Sequence, residues 1–208
     1  MKKKVNFFLN GKSVSAEINE SIWQVAKKTG ITLPHLCYAD KPGYRADGNC
    51  RACMVSIEGE RVLAASCIRK PSEGMKVKTN DERSSKSREM VMELLLTDQP
   101  DRNNAHDPRS HFWNMAKKVK IDTSRFDKRQ TSLVPSSDVS NKAMSVNLDA
   151  CIHCNLCVRA CREVQVNDVI GMGMRGHTSK VIFDFDDPMG DSTCVSCGKC
   201  VEACPTGA

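Results

Sequence analysis

The sequence predicts an α+β chain: a small N-terminal sheet-and-helix module, a helical connector, and a C-terminal module built on a repeated cysteine motif. Three observations carry this expectation. Apolar and polar residues alternate on both sides of an Asn10-Gly11 pair near the start. The twelve cysteines are segregated, four before residue 68, none between Ile68 and Ala150, and eight between Cys151 and Cys204. The spacing Cys-x2-Cys-x2-Cys-x3-Cys occurs twice in that last stretch.

The N-terminal module, residues 1–80, follows from local signals. Val5, Phe7 and Leu9 alternate, Asn10-Gly11 is a two-residue hairpin signal, and Val14 to Ile18 returns as a second strand. Ser21 can cap a helix with Ile22, Val25 and Ala26 on one face and Gly30 past its end. Beyond a cysteine-bearing loop, Met54 to Ile57 and Val62 to Ser66 form strands about Glu58-Gly59, and Met75 to Thr79 supplies a last one. Two strands, a helix and further strands fit a β-grasp arrangement, the fold of plant-type ferredoxins.

The connector, residues 81–142, carries two helical patterns. Met90, Val91, Leu94 and Leu95 form one apolar stripe. Pro108 suits a first helical position, with Phe112, Met115, Ala116 and Val119 at helical spacing behind it. Polar residues dominate from Asp122 to Lys142, predicting a strap across the surface. Residues 143–208 hold the two motifs, separated by a 32-residue insertion.

Composition narrows the classes. Hydrophobic residues make up 40% and aromatics 5%, a thin supply for a conventional core, so bound metal is an expected source of cohesion. The N-terminal apolar run is too short for a signal peptide, and no stretch is long enough to span a membrane. A cytoplasmic chain keeps its thiols reduced, so repeated Cys-x2-Cys points to metal rather than disulfides. The net charge is +6, with 14 basic against 7 acidic side chains in residues 1–80, 12 against 11 in 81–150, and 5 against 7 in 151–208. No basic run exceeds three residues and no aromatic platform accompanies one, which argues against nucleic acid. A cluster on four thiolates carries roughly −2 when oxidised, so three of them bring the charge near zero.

In the C-terminal motifs, three cysteines at this spacing wrap one cubane and the fourth reaches the neighbouring one. The spacing therefore assigns Cys151, Cys154, Cys157 and Cys204 to a first [4Fe–4S] cluster, and Cys161, Cys194, Cys197 and Cys200 to a second. Pro205 follows Cys204, whereas Arg162 follows Cys161, a difference that bears on local geometry. The N-terminal set, Cys37-x12-Cys50-x2-Cys53-x13-Cys67, supplies four thiolates for one [2Fe–2S] cluster, with a turn-rich loop bringing Cys37 to Cys50 and Cys53. Gly48 and its neighbours let backbone N–H groups approach the sulfurs and raise the potential. Structural zinc is the alternative for such cysteines and would make the chain a metal-binding adaptor.

The segments Tyr44-Arg-Ala-Asp-Gly-Asn-Cys-Arg-Ala-Cys-Met-Val55, Val62-Leu-Ala-Ala-Ser-Cys67, Cys157-Val-Arg-Ala-Cys161-Arg-Glu-Val-Gln165 and Cys204-Pro-Thr-Gly-Ala208 resemble the N-terminal iron–sulfur region of the α subunit of cytosolic NAD-linked formate dehydrogenases. The same module is similar to the small diaphorase subunit of NAD-reducing hydrogenases and the large iron–sulfur subunit of respiratory complex I. The resemblance implies an electron-transfer chain without a catalytic site of its own. Its implied partners are a flavin/NAD-binding diaphorase subunit and a Mo/W-pterin catalytic subunit; a [NiFe]-hydrogenase or a complex I-like machine is the other partner class. A free ferredoxin is a further reading, against which the basic N-terminal module and long connector argue.

Two departures from the resembled family stand out. Those relatives place a further [4Fe–4S] cluster, with one His and three Cys ligands, in the middle segment, where this chain has no cysteine; His106 and His111 remain as surface or cap residues. The α subunit also continues into a large pterin domain, whereas this sequence ends four residues after Cys204, as in a separate small subunit, a fragment or a split chain. Among other features, His153 lies inside a motif and can face either a sulfur or solvent. Trp23 and His35 are expected to pack near the first cluster or the core. Gly171-x-Gly173-x-x-Gly176 matches a dinucleotide fingerprint in letters but lacks a surrounding βαβ unit.

Overall fold

The computed structural model describes residues 4–130 and 134–208; residues 131–133, in the middle of the expected strap, and the first three residues of the N-terminal module lie outside them. Strands β1 (Lys4–Leu9) and β2 (Lys12–Glu17) pair antiparallel about Asn10-Gly11, both of which take positive φ. This is the primed hairpin turn that matches strand twist. Helix α1 (Ile22–Lys28) starts at Ser21, whose hydroxyl accepts from the Gln24 N–H while the Gln24 side chain accepts from the Ser21 N–H. This reciprocal capping box fixes where the helix begins. Ser21→Ala should lower stability by about 1 kcal/mol, read as a fall in melting temperature with iron content unchanged.

Strands β3 (Met54–Ile57), β4 (Ala64–Ala65) and β5 (Lys76–Lys78) complete a five-stranded sheet of order β2-β1-β5-β3-β4, with β1 and β5 parallel and the other pairs antiparallel. One face of β1 delivers Phe7 and Leu9 against Ile22, Val25 and Ala26 of α1 and Val55 and Val77 of the sheet. The topology is the expected β-grasp. The strand expected over Val62 to Ser66 is shorter: only Ala64 and Ala65 pair, and Val62 is exposed.

Helix α2 (Glu82–Leu96) lies against β3 with a different face from the one its apolar letters suggest. Met90 and Leu94 are exposed, whereas Ser84, Arg88, Met92 and Leu96 form the buried line at i, i+4 spacing. Arg88 is tolerated there because its guanidinium donates to the Met54 carbonyl at 2.8 Å and to the Ser85 hydroxyl. Helix α3 (His111–Lys118) begins after Ser110, not at Pro108, which sits in the Asp107–Ser110 turn. Its Phe112, Trp113, Met115 and Ala116 pack with Met92, Leu96, Leu36 and Ala52, so an apolar core occupies the cysteine-free middle of the chain. The segment after α3 straps α2 as expected over its described residues. Arg125 pairs with Glu93, and Arg129 bonds the Thr97 and Asp149 carbonyls through its backbone N–H and guanidinium respectively.

The C-terminal part consists of two short helices and one hairpin. Helix α4 (Leu156–Arg159) runs into a π-helical turn (Ala160–Val164), and α5 (Lys199–Ala203) ends at Cys204. This is the local consequence of the proline difference between the motifs. Cys204, before Pro205, takes an extended conformation and the chain leaves, whereas Cys161 is free to stay in a widened helical turn. Between them, β6 (Ile170–Gly173) and β7 (Lys180–Phe183) form an antiparallel hairpin. Gly173 therefore belongs to a hairpin rather than to a phosphate-binding turn: a Cβ there would stand 2.8 Å from the Ile182 side chain.

Candidate metal centres

The two C-terminal motifs fold alike. His153 and Asn155 after Cys151, and Ser196 and Gly198 after Cys194, all take positive φ, and Asn155 and Gly198 are the residues from which α4 and α5 start. Left-handed residues alternating in this way turn successive backbone N–H groups inward, a concavity that suits an anion. The Ser196 N–H points at Cys194 Sγ at 3.4 Å, and the Val169 N–H points at Cys161 Sγ at the same distance. His153 contributes through this backbone geometry, since its ring is exposed.

Cys151, Cys154, Cys157 and Cys204 line one cavity of about 60 Å³, closed by Ile170, Val181, Phe183 and Met189 and also touched by Cys200. Burial pushes the Cys154 thiol up to about 12, and Cys157 is pushed well above the usual thiol range by burial and then by its sulfur neighbours Cys154, Cys151 and Cys204. Cys200 is raised by burial and by Cys194 and Cys197. Cys161 packs in the same apolar cluster as Cys194 and Cys200, and as Cys151 and Cys157, at the seam between the two sets.

The N-terminal four also converge. Cys37, Cys53 and Cys67 are buried and Cys50 is half-buried. Cys37 Sγ accepts the Cys50 N–H at 3.4 Å. Hydrogen bonds from the thiols of Cys50 and Cys67 hold Cys37 far below the usual thiol range, and Cys53 is lowered to about 7 chiefly by Cys67. Cys50 and Cys67, as the donors, are pushed far above it. Such a foursome cannot ionise completely without a cation at its centre, so the donor chemistry fits a cationic iron core held by thiolates. None of the twelve cysteines is in a disulfide.

Other residues take plainer places. Trp23 and His35 stack edge to face at 4.6 Å beside the N-terminal core, with the Trp23 indole donating to the Leu33 carbonyl. His111 Nε2 bonds the His35 carbonyl at 2.7 Å, and His106 pairs with Asp149. Gln99, buried, donates to the Ala150 carbonyl.

One functional side chain escaped the sequence reading. Arg159, only 3% exposed, projects from α4 between Cys157 and Cys161 and spans both cluster modules. Its guanidinium donates to the carbonyls of Cys37 (2.6 Å), Arg45 (2.7 Å) and Cys154 (3.4 Å) and pairs with Asp47 at 3.0 Å. The available signal was its helical offset: Cys157 and Cys161 share one face, and a residue two positions from each must face the other way.

Comparison with known proteins agrees with this geometry. Residues 2–82 match the family model of a 2Fe-2S iron-sulfur cluster binding domain, and residues 141–208 match that of a 4Fe-4S dicluster domain. The chain is 34% identical over 205 residues to the NADP-reducing hydrogenase subunit HndD of Solidesulfovibrio fructosivorans, covering 96% of this chain and 35% of that one. It is 31% identical over 215 residues to the mitochondrial NADH-ubiquinone oxidoreductase 78 kDa subunit of Candida albicans, covering 99% of this chain and 28% of the relative. It therefore spans about a third or less of the length of these curated relatives. A solved NAD+-reducing [NiFe]-hydrogenase in the H2-reduced state superposes with a TM-score of 0.82 at 24% identity, over 98% of this chain and 86% of that one, a likeness of fold. Among the described residues no helix is long and apolar enough to cross a membrane. The chain is built from an N-terminal [2Fe–2S] cluster-binding domain and a C-terminal [4Fe–4S] dicluster domain.

Proposed function

We propose that this chain is a cytoplasmic electron-relay subunit holding one [2Fe–2S] cluster on Cys37, Cys50, Cys53 and Cys67 and two [4Fe–4S] clusters. The first cubane is assigned to Cys151, Cys154, Cys157 and Cys204, and the second to Cys161, Cys194, Cys197 and Cys200. Residues 1–80, 81–142 and 143–208 are its three parts. The clusters supply one-electron redox chemistry; the protein supplies their spacing, burial and hydrogen bonding.

The observation that carries this reading is the contact between the two cluster modules. Cys37 and Cys154 pack in one buried group with Leu156, with no connector side chain of α2 or α3 in it. Electron tunnelling weakens exponentially with separation, so adjoining ligand sets are what a relay requires. At the far end Cys197 is exposed, with Val195 and Val201 exposed near it in sequence, leaving the second ligand set open to a partner.

In this reading a flavin/NAD(H) module exchanges electrons with the [2Fe–2S] end, and a Mo/W-pterin formate dehydrogenase subunit with the cubane end. The hydrogenase relative and the [NiFe]-hydrogenase fold neighbour favour a second reading, in which the catalytic partner is a hydrogenase. Anaerobic purification of the tagged chain from its own cells tests both levels. About ten irons per chain and matching sulfide, with EPR signals of both cluster types after dithionite, are expected. Stoichiometric zinc in a colourless protein would sink the relay. Molybdenum or tungsten in the co-purified complex supports the first partner; nickel in their place moves the assignment to the second.

A further inference from the structure

We infer that Arg159 is a positioning residue that couples the [2Fe–2S] site to the first cubane site, fixing their separation and raising the potentials of both. The inference deepens the relay reading above and rests on it.

Arg159 is a cation buried between the two ligand sets. Every nitrogen of the guanidinium is used: Nε donates to the Asn155 carbonyl at 3.3 Å, Nη1 to the Arg45 carbonyl and Asp47, and Nη2 to the carbonyls of Cys37 and Cys154. The same Nη2 thus touches the backbone of one ligand from each set. Asn49, next to Cys50, adds a 3.4 Å contact from its side-chain amide to the same Cys154 carbonyl. Three of the bonds reach the turn-rich loop and its start, at Cys37, Arg45 and Asp47, and two stay within the first motif. A planar, permanently charged fork is what such a junction needs; an ammonium group offers no comparable fixed geometry.

Charge is the second half of the argument. A cluster on four thiolates is anionic and becomes more so on reduction, so a fixed cation beside its ligands favours the reduced form. Asp47 offsets part of that charge, and its other oxygen pairs with Arg45, which in turn meets Glu163. Arg159 is the member of this network buried against both ligand sets. The second cubane's exposed ligand, Cys197, receives none of these bonds.

The test uses the full chain, purified anaerobically with its clusters, and reads midpoint potentials by EPR-monitored titration. Arg159→Gln should lower the potentials of the [2Fe–2S] cluster and the first cubane, leaving the second near its wild-type value. A tenfold change in the reduced-to-oxidised ratio corresponds to about 59 mV for one electron. Asp47→Asn should shift the same two potentials upward, a sign that general loosening of the fold does not predict. Arg159→Lys should keep the potentials near wild type, because the charge survives, while weakening the magnetic interaction between the two clusters and lowering the melting temperature. Unchanged potentials in Arg159→Gln, or an equal shift of all three clusters, would overturn the inference. If Arg159→Gln fails to take up iron, Asp47→Asn decides: an upward shift of the pair supports the coupling, and no shift removes it. A wild-type chain lacking clusters fails the relay reading itself, whereas a loaded wild type with indifferent variants fails only the role of Arg159.

Discussion

A Cys157→Ala chain is expected to hold about six irons instead of about ten, losing one cubane and keeping the other two clusters. Cys157 is half-buried in the sulfur-lined cavity, its thiol pushed well above the usual range by burial and then by Cys154 and Cys151, so its loss removes one of the four sulfurs that the first cubane is assigned. The companion variant, Cys204→Ala, tests the crossed assignment. Cys204 belongs to the second motif in sequence, yet it shares a cavity with Cys151, Cys154 and Cys157. Its removal should therefore erase the same EPR signal as Cys157→Ala, and Cys161→Ala should erase the other. Iron analysis and EPR of these three variants and of Cys194→Ala decide the assignment. If Cys204→Ala removes the signal that Cys194→Ala removes, each motif serves its own cluster and the crossing is wrong.

The sequence was most legible where one residue type has one physical use. Asn10-Gly11 takes the left-handed conformations of a tight hairpin, and Ser21 with Gln24 closes a capping box. Cys37 interacts with Cys50 and Cys67, and Cys151, Cys154, Cys157 and Cys204 line one cavity, while the cluster each set holds belongs to the proposal above. The reading failed where burial was decided by a partner distant in sequence. On α2 the apolar letters Met90 and Leu94 face out, and Arg88 is inside because the Met54 carbonyl waits for it. Helical periodicity weighs side chains by their own hydrophobicity and cannot count that acceptor. The start of α3 slipped from Pro108 to His111 for a similar reason. The Phe112 N–H is taken by the Pro205 carbonyl from the chain's far end, an anchor that local capping rules do not contain. Arg159 went unnoticed because its partners, Cys37, Arg45 and Asp47, lie more than a hundred residues away.

Removing the iron should act unequally on the two cluster domains. The N-terminal domain has a five-stranded sheet and a core in which Cys53 and Cys67 are outnumbered by Phe7, Leu9, Ile22, Trp23, Val25, Leu33, Val55 and Val77. The C-terminal domain has one two-stranded hairpin, two helices of four and five residues, and a core in which Cys151 and Cys161 sit with Val158, Ile170, Phe183 and Met189. A lone hairpin is marginal in water, and helices this short do not hold by themselves. Metal binding contributes on the order of 10 kcal/mol to small metal-folded domains, more than such a core can replace. Anaerobic chelation should therefore leave backbone amides of Lys4–Leu9 and Met54–Ile57 protected from hydrogen exchange, while those of Ile170–Gly173 and Lys180–Phe183 exchange fast. Because Arg159 ties α4 to the loop bearing Cys37, that loop should lose protection together with the C-terminal domain. Hairpin amides that stay protected in the iron-free chain would mean that the packing of Val169, Ile170, Val181 and Phe183 suffices, and that the clusters are guests in a fold that stands without them.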